Sequence, residues 1–385
     1  MPNVLILGGR APVALDHVRR FQRQGWKVHL ADSIPCRLSG WSRSVAATLP
    51  LASARYAPMA FVEGIHAAIR TYAIDLIVPT CEEVFYLSRY RSLLPANVRV
   101  LAGDFETLRT LHSKWRFIEA AQGCGAIVPA SHLVASLAEA RAWAGAEPVV
   151  LKPEYSRFGV HVRLHSEGLP MQAPELDVAG AWVAQRYHRG VELCSYGIAD
   201  GGHLLAHVVY RPSYRIQRSS SYYFDPHPSG KILSFVHAFV RKMDFTGQIS
   251  FDWIQGEDGE VAVIECNPRS TSGLHLFSED DALPSALMGV AGDCLEPGRA
   301  QPAMIAGLML SAGLYEAVAK STLSRWRYDY RRARDVITRP GDRSPLAGAM
   351  LDLCSYSRLA IQQGCNLREA ATRDIEWDGE CLSPT

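Results

Sequence analysis

Two runs in the second half of the chain concentrate oxygen ligands beside a fixed cation. Gly247-Gln248-Ile249-Ser250-Phe251-Asp252-Trp253 is followed, after a turn, by Val261-Ala262-Val263-Ile264-Glu265-Cys266-Asn267-Pro268-Arg269. Read as two paired strands, they set Asp252 and Glu265 on one face, and Asn267, two residues on, joins that face. Three oxygen ligands converging near a strand end suit a hard divalent cation, and Mg²⁺ combines carboxylates with water and substrate phosphates. Arg269 on the next turn has the planar fork that holds a phosphate or carboxylate. The competing reading is a surface hairpin with solvated acids. It fits poorly, because Glu265 ends the apolar run Val261 to Ile264 and would be costly to bury unpaired.

Three further segments carry chemistry. Lys152-Pro153-Glu154-Tyr155-Ser156-Arg157-Phe158-Gly159-Val160 places a lysine at the end of a buried strand, ahead of a loop. A lysine with flexible backbone N–H groups suits triphosphate oxygens, although a solvated loop lysine is the commoner case. Ala184-Gln185-Arg186-Tyr187-His188-Arg189-Gly190-Val191-Glu192 runs a strand edge into a turn. Its backbone can read an adenine ring and Glu192 can take both ribose hydroxyls; taken singly, such a glutamate is more often a solvated turn acid. Tyr210 to Gly230 holds Arg211, Tyr214, Arg215, Arg218, Ser219-Ser220-Ser221 and Tyr222-Tyr223. This basic, hydroxyl-rich segment reads either as a cover for an acidic substrate or as an ordinary polar loop. Ser270-Thr271-Ser272-Gly273 is small and polar, so substrate can approach the cation there.

The elements that must position these groups start with Val4–Leu7, an apolar run ending in Gly8-Gly9. A helix from Val13 to Gln24 and a strand from Lys27 to Asp32 follow, then strands at Asp75–Thr80 and Val98–Ala102. Residues 1 to about 113 therefore read as a small doubly wound parallel α/β domain. Its turn Gly8-Gly9-Arg10-Ala11-Pro12 lacks the G-x-G-x-x-G spacing, although Asp32 stands where a ribose-binding acid would sit. The strand C-termini there also read as a site for part of a substrate. A helix is expected from about Phe105 to Gln122, carrying Lys114, and another near Leu137–Ala144. Strands are expected at Val149–Pro153, Val160–Leu164, Ala181–Tyr187, 193–199, 203–210, 248–254 and 260–265. Asp200-Gly201-Gly202 and Asp258-Gly259 serve as hairpin turns. This middle region is α+β; beyond about residue 300 the chain becomes helical.

Together, and in this order, these pieces resemble the ATP-grasp superfamily of carboxylate-activating ligases over roughly residues 1 to 300. The resemblance implies a pre-ATP-grasp α/β domain (1–113), a first nucleotide lobe (114–190), a second lobe with the metal site (191–300) and a helical C-terminal extension (301–385). It implies that Lys114, in Leu111-His112-Ser113-Lys114-Trp115, and Lys152 hold nucleotide phosphates, with Glu154 to Gly159 as the phosphate-covering loop and Ser156 among its contacts. Gln185, Arg186, Tyr187 and His188 match the adenine hinge, Glu192 the ribose acid, and Asp252, Glu265 and Asn267 the ligands of Mg²⁺, or of Mn²⁺ in its place. Arg269 and Lys152 take the catalytic charges; Arg211, Arg215, Arg269 and Ser270 face the substrate. Two departures stand out: the loop has one glycine, Gly159, and the hinge begins with Gln185 where the family often has Glu. The implied reaction is ADP-forming. ATP phosphorylates a carboxylate, amino-acid-like, and an amine attacks the acyl phosphate to give an amide or peptide-type bond. The alternatives are a nicotinamide oxidoreductase using the N-terminal domain and a catalytically idle nucleotide-binding scaffold.

The whole composition sets bounds. The chain has 385 residues, 40 Lys and Arg against 39 Asp and Glu, and a net charge of +1. That balance argues against non-specific nucleic-acid binding as its trade. No apolar stretch reaches the ~18–20 residues of a membrane span, and the N-terminus lacks the basic and apolar regions of a signal peptide. Nine scattered cysteines with no C-x-x-C pair suggest neither a disulfide framework nor a zinc knuckle, and a reducing cytoplasm is the simplest home. Arg325, Arg327, Arg331, Arg332 and Arg334 interleave with Trp326, Tyr328 and Tyr330. They read as base-stacking residues or, more plainly, as a helix packing its aromatics on the body. Ser344-Pro345 starts a helix to about Gln363 that Gly364 ends. Its Leu346, Met350, Leu353 and Leu359 are expected to cap the body or form a homodimer.

Overall fold

Five short strands build a parallel sheet from the N-terminal third: β1 (Asn3–Leu7), β2 (Lys27–Asp32), β3 (Ala47–Pro50), β4 (Leu76–Val78) and β5 (Arg99–Val100). The structure, a computed structural model, describes residues 1–157, 161–178, 180–216, 220–290, 292–299 and 301–382. Strand order is β3-β2-β1-β4-β5. Helices α1 (Pro12–Arg23), α2 (Pro58–Tyr72) and α3 (Glu83–Arg89) connect the strands. The uninterrupted apolar character of β1 and β4 follows from burial on both faces. The chain winds outward from β1 to β3, then returns to β4 and β5 on the other side. A crevice opens at such a switch point, beyond the carboxyl ends of β1 and β4. Gly8 belongs there for a steric reason: it has φ +73°, and a Cβ on it would lie 2.5 Å from Thr80 Oγ1.

The helix expected over 105–122 is two helices, α4 (Phe105–His112) and α5 (Lys114–Gln122). Ser113 breaks them: it is extended, and its side chain accepts from the Arg116 amide as an N-cap. Lys114 is therefore the first residue of a helix rather than a mid-helix residue.

A second, small sheet contains β6 (Ser131–Val134), β7 (Val149–Pro153), β8 (Arg163–His165) and β9 (Trp182–Arg186), in the order β6-β9-β7-β8. Helix α6 (Leu137–Ala144) covers it. The strand expected at Val160–Leu164 is displaced to β8; Val160, and Phe158 and Gly159 of the expected phosphate loop, lie outside the described residues.

The third sheet is antiparallel over most of its width. It comprises β10 (Val191–Asp200), β11 (His203–Arg215), β12 (Ser221–Pro226), β13 (Gly247–Gln255), β14 (Val261–Asn267), β15 (Ala303–Met304) and β16 (Arg334–Asp335). Their order is β14-β13-β10-β11-β12-β15-β16. Helix α7 (Gly230–Lys242) packs against β11. Gly201 and Gly202 both have positive φ, which the two-residue turn between β10 and β11 requires.

The loop expected over Tyr210–Gly230 is instead a strand pair. β11 continues to Arg215, and β12 returns beside it with Tyr222, Tyr223 and Phe224 buried. Aromatic residues fit a pleated surface, and the interspersed arginines mask that pattern in the sequence. Arg218 and Ser219 lie outside the described residues.

The C-terminal extension is helical, with β15 and β16 as its two additions to the large sheet. The helix Pro345–Gln363 ends at Gly364 in the left-handed conformation, as expected. It docks on the body through another side. Gly348 packs against Trp41, and Asp352 accepts from the Leu38 amide at 2.6 Å, while Leu346, Met350 and Leu353 are exposed. The anticipated apolar side does not cap the body. In the helix Leu323–Arg332, Trp326 stacks on Tyr330 and donates to the Met309 carbonyl, whereas Tyr328 is exposed.

Candidate active site

The register of β13 and β14 sets Asp252 opposite Glu265 and Ser250 opposite Asn267. One face thus carries both carboxylates and the amide, as the sequence spacing requires. The Asn267 amide contacts Asp252 Oδ2 through Nδ2 at 3.4 Å, and its Oδ1 accepts from Arg269 Nη2 at 3.1 Å. Burial, and then repulsion from Glu265, push the Asp252 carboxyl up. Burial would raise Glu265 as well, but Lys114 and Lys152 more than offset it and hold that carboxyl down. The pair is held between two lysines while its own charges oppose each other.

Both lysines are buried. Lys152, near the end of β7, donates from Nζ to Gln185 Oε1 and to the Ile264 carbonyl, each at 3.1 Å. It thereby reaches from the small sheet to the backbone beside Glu265. Desolvation lowers its pKa to about 8, with Glu265 opposing the fall. Lys114, at the start of α5, donates to the Ser156 carbonyl at 2.7 Å; desolvation lowers it too, and Glu265 opposes. The chain of Ser156 is held by this contact, while its hydroxyl lies 3.5 Å from the Pro153 carbonyl.

The hinge is only partly arranged as expected. Gln185 is buried and engaged with Lys152 and with Ser131. The Arg186 side chain points away from the carboxylates: it donates to the Ala144 carbonyl and lies over the Trp143 ring. The Arg186 and Tyr187 amides already donate to Ala130 and Pro148 carbonyls. Neither of these two amides is free for a base. His188 stands beside them in the turn between β9 and β10. Glu192 is on β10 and is ion-paired to Arg215.

A cavity of about 590 Å³ adjoins the carboxylates. Glu192, Arg215, Asp252, Glu265, Asn267, Arg269 and Ser270 line it, together with Arg10, Thr80, Cys81 and Glu82 from the switch point of the first sheet. Arg211 does not: it is exposed on β11. Lys114, Lys152 and the hinge lie outside its wall, so the carboxylates stand between the lysine side and the cavity side.

Several residues here escaped the sequence reading. Arg157 lines the cavity and is clamped by Glu82 at 2.9 Å, Glu376 at 2.6 Å and Asp378 at 2.6 Å. Trp377 between those acids is buried among Phe85, Phe105, His112 and Tyr155. Tyr356, and Ala371, Thr372, Ile375 and Glu376 of the same C-terminal segment, also face the cavity. The position of Glu82, just past the carboxyl end of β4, was the available signal; nothing local marks residues 371–378. Cys81 and Cys194 line the cavity as well, but burial and then nearby acids push both thiols far up. The thiolate is the reactive form, so burial works against either thiol as a nucleophile. All nine cysteines are free. No helix among the described residues is long and apolar enough to cross a membrane. Nor do the described residues gather three or more His, Cys, Asp and Glu side chains as a metal site; the set expected for a cation, Asp252, Glu265 and Asn267, is two carboxylates and an amide.

No family model matches the chain, and no curated protein matches it. Solved structures do. N5-carboxyaminoimidazole synthetase from Staphylococcus aureus, complexed with ADP, is 14% identical and superposes with a TM-score of 0.62 over 82% of this chain and 86% of its own. Biotin carboxylase from Campylobacter jejuni is 16% identical, with a TM-score of 0.60 over 74% and 70%. An L-amino acid ligase from Bacillus licheniformis is 17% identical, with a TM-score of 0.57 over 74% of each chain. These are ATP-grasp enzymes, and the architecture of this chain is theirs.

Proposed function

We propose that this ATP-grasp fold serves an ATP-dependent, ADP-forming carboxylate–amine ligase. The observation that carries the reading is the half-buried Asp252–Glu265 pair flanked by the buried Lys114 and Lys152 at the edge of an open cavity. Two adjacent carboxylates that repel each other are what a divalent cation relieves, and two desolvated lysines are what a polyphosphate relieves. Asp252, Glu265 and Asn267 fit Mg²⁺, with the Asn267 amide turning its oxygen inward. Bound there, the cation supplies charge neutralisation between phosphate oxygens.

Each residue then has a task. Lys152 has two N–H groups engaged and one left for a phosphate oxygen. Lys114 holds a second oxygen, Ser156 lies near the phosphates, and Glu192, kept paired to Arg215 through Oε2, offers Oε1 to the ribose. Arg269 faces the anion that accumulates as a carboxylate oxygen attacks the γ-phosphorus and the bond to ADP breaks. The amine then attacks the acyl carbon; phosphate departs and the amine loses a proton. No side-chain nucleophile is needed, because phosphoryl transfer rests on positioning and charge. The Arg186, Tyr187 and Arg211 side chains have no part in this account. Domain limits at residues 113, 190 and 300 and a cytoplasmic setting belong to the same reading.

The test is trapping. With ATP, Mg²⁺ and the correct acid, hydroxylamine should yield a hydroxamate with stoichiometric ADP. Glu265→Gln should lower turnover on the order of 10²–10³ with an unchanged melting profile. A stable phosphorylated alcohol and no hydroxamate would leave a kinase on the same fold.

A further inference from the structure

The cavity has a second character away from the carboxylates. Val13 from α1, Tyr210 and Phe224 from β11 and β12, Ile305, Tyr356 and Ile375 line it. Its charged residues outside the Asp252–Glu265–Arg269 group are all paired within the protein. Arg10 is bonded to Asp32, Asp374, Ser33 and the Ala371 carbonyl, which occupies all its N–H groups. Arg157 pairs with Glu82 and Glu376, and Arg215 with Glu192. Three of its hydroxyls are engaged too: Thr80 donates to the Leu7 carbonyl, Ser221 to that of Ser213 and Thr372 to that of Arg368. His275 is bound to Asp16.

Resting on the ligase reading above, the geometry points to a substrate acid with an apolar side chain, whose body lies against these residues while its carboxylate meets Arg269. A charged side chain would lose its hydration and meet only charges already paired within the protein; an apolar one removes its surface from water against aromatic and branched groups. The C-terminal segment, through Ile375, is thus a specificity wall supplied by the chain itself.

The experiment measures ADP formation with hydroxylamine as acceptor and leucine, phenylalanine, glutamate or lysine as the acid. Leucine and phenylalanine should half-saturate at concentrations lower by roughly tenfold or more. Ile375→Glu should raise their KM by about the same factor, leave the KM for ATP unchanged, and favour lysine. Ile375→Ala keeps the test valid if the glutamate variant unfolds, and should shift preference toward phenylalanine. ADP formation with charged acids alone, or with all four equally, overturns this inference and leaves the ligase standing. ADP formation with no acid overturns both.

Discussion

The two lobes that face each other across the lysines and carboxylates are built differently. The small sheet β6–β9 has a core of its own: Val134, Leu137, Ala140, Ala144, Val149, Leu151, Leu169, Trp182 and Ala184. The large sheet has a small private cluster at its β12–β15 edge, Tyr222, Tyr223, Met304 and Met309, but its main core is shared with the first sheet. One cluster joins Leu5 and Ile77 of the first sheet to Leu193 and Phe251, and another joins Val4 and Ile6 to Tyr196 and Phe224. Buried polar contacts reinforce that union. Asp16 on α1 binds Arg20, Arg339 and His275, and Gln248 on β13 accepts from Tyr196 and donates to the Pro79 carbonyl. The carboxylates and most of the cavity wall therefore ride on one jointly packed body, whereas Lys152 rides on a sheet with a core of its own.

The largest effect should come from breaking the jointly packed body. Asp16→Asn leaves the buried Arg20 without its acid partner, while Arg339 keeps Glu279, and one-sided removal from a buried pair typically costs about 3–5 kcal/mol. Equilibrium denaturation should show that loss. A loss below 1 kcal/mol would mean that apolar contact, and not this network, fuses the two regions.

A smaller effect tests the lysine on the other lobe. Lys152 is charged below about pH 8 and discharges above it in the free protein. A phosphate binds the charged form, so ATP affinity should fall as pH rises through 8. Calorimetry should find weaker binding in Lys152→Ala and no such fall across that window. A flat profile in the unaltered protein would remove Lys152 from the phosphate site.

The smallest signal is dynamic. Amides of β7 and β9 should exchange with solvent sooner than those of β10 and β13, because a separate small core opens locally at lower free energy. Equal protection of both sheets would refute that separate opening.

How much of this was written locally in the chain differs in the same way. Apolar runs and two-residue alternation made β1, β13 and β14 readable, and with them the shared face of Asp252, Glu265 and Asn267. Lys152 was readable as the end of a buried strand. The break at Ser113 was not, because apolar periodicity continues through it and only the cap interrupts it. Arg157 was visible as a loop residue, but its partner Asp378 stands 221 positions away. The specificity wall was invisible for the same reason: it arises where the last described segment returns to the first sheet. Long-range closure leaves no periodic trace.

That closure has a temporal side. Arg10 and Asp374 meet across 364 positions, a span that takes roughly 20–70 s to synthesise at 5–20 residues per second. For that interval the emerging N-terminal sheet holds Arg10 and Asp32 at its crevice with one of the three charges missing. The nascent domain waits with an open edge, and the cavity wall is completed after most of the polypeptide has been made.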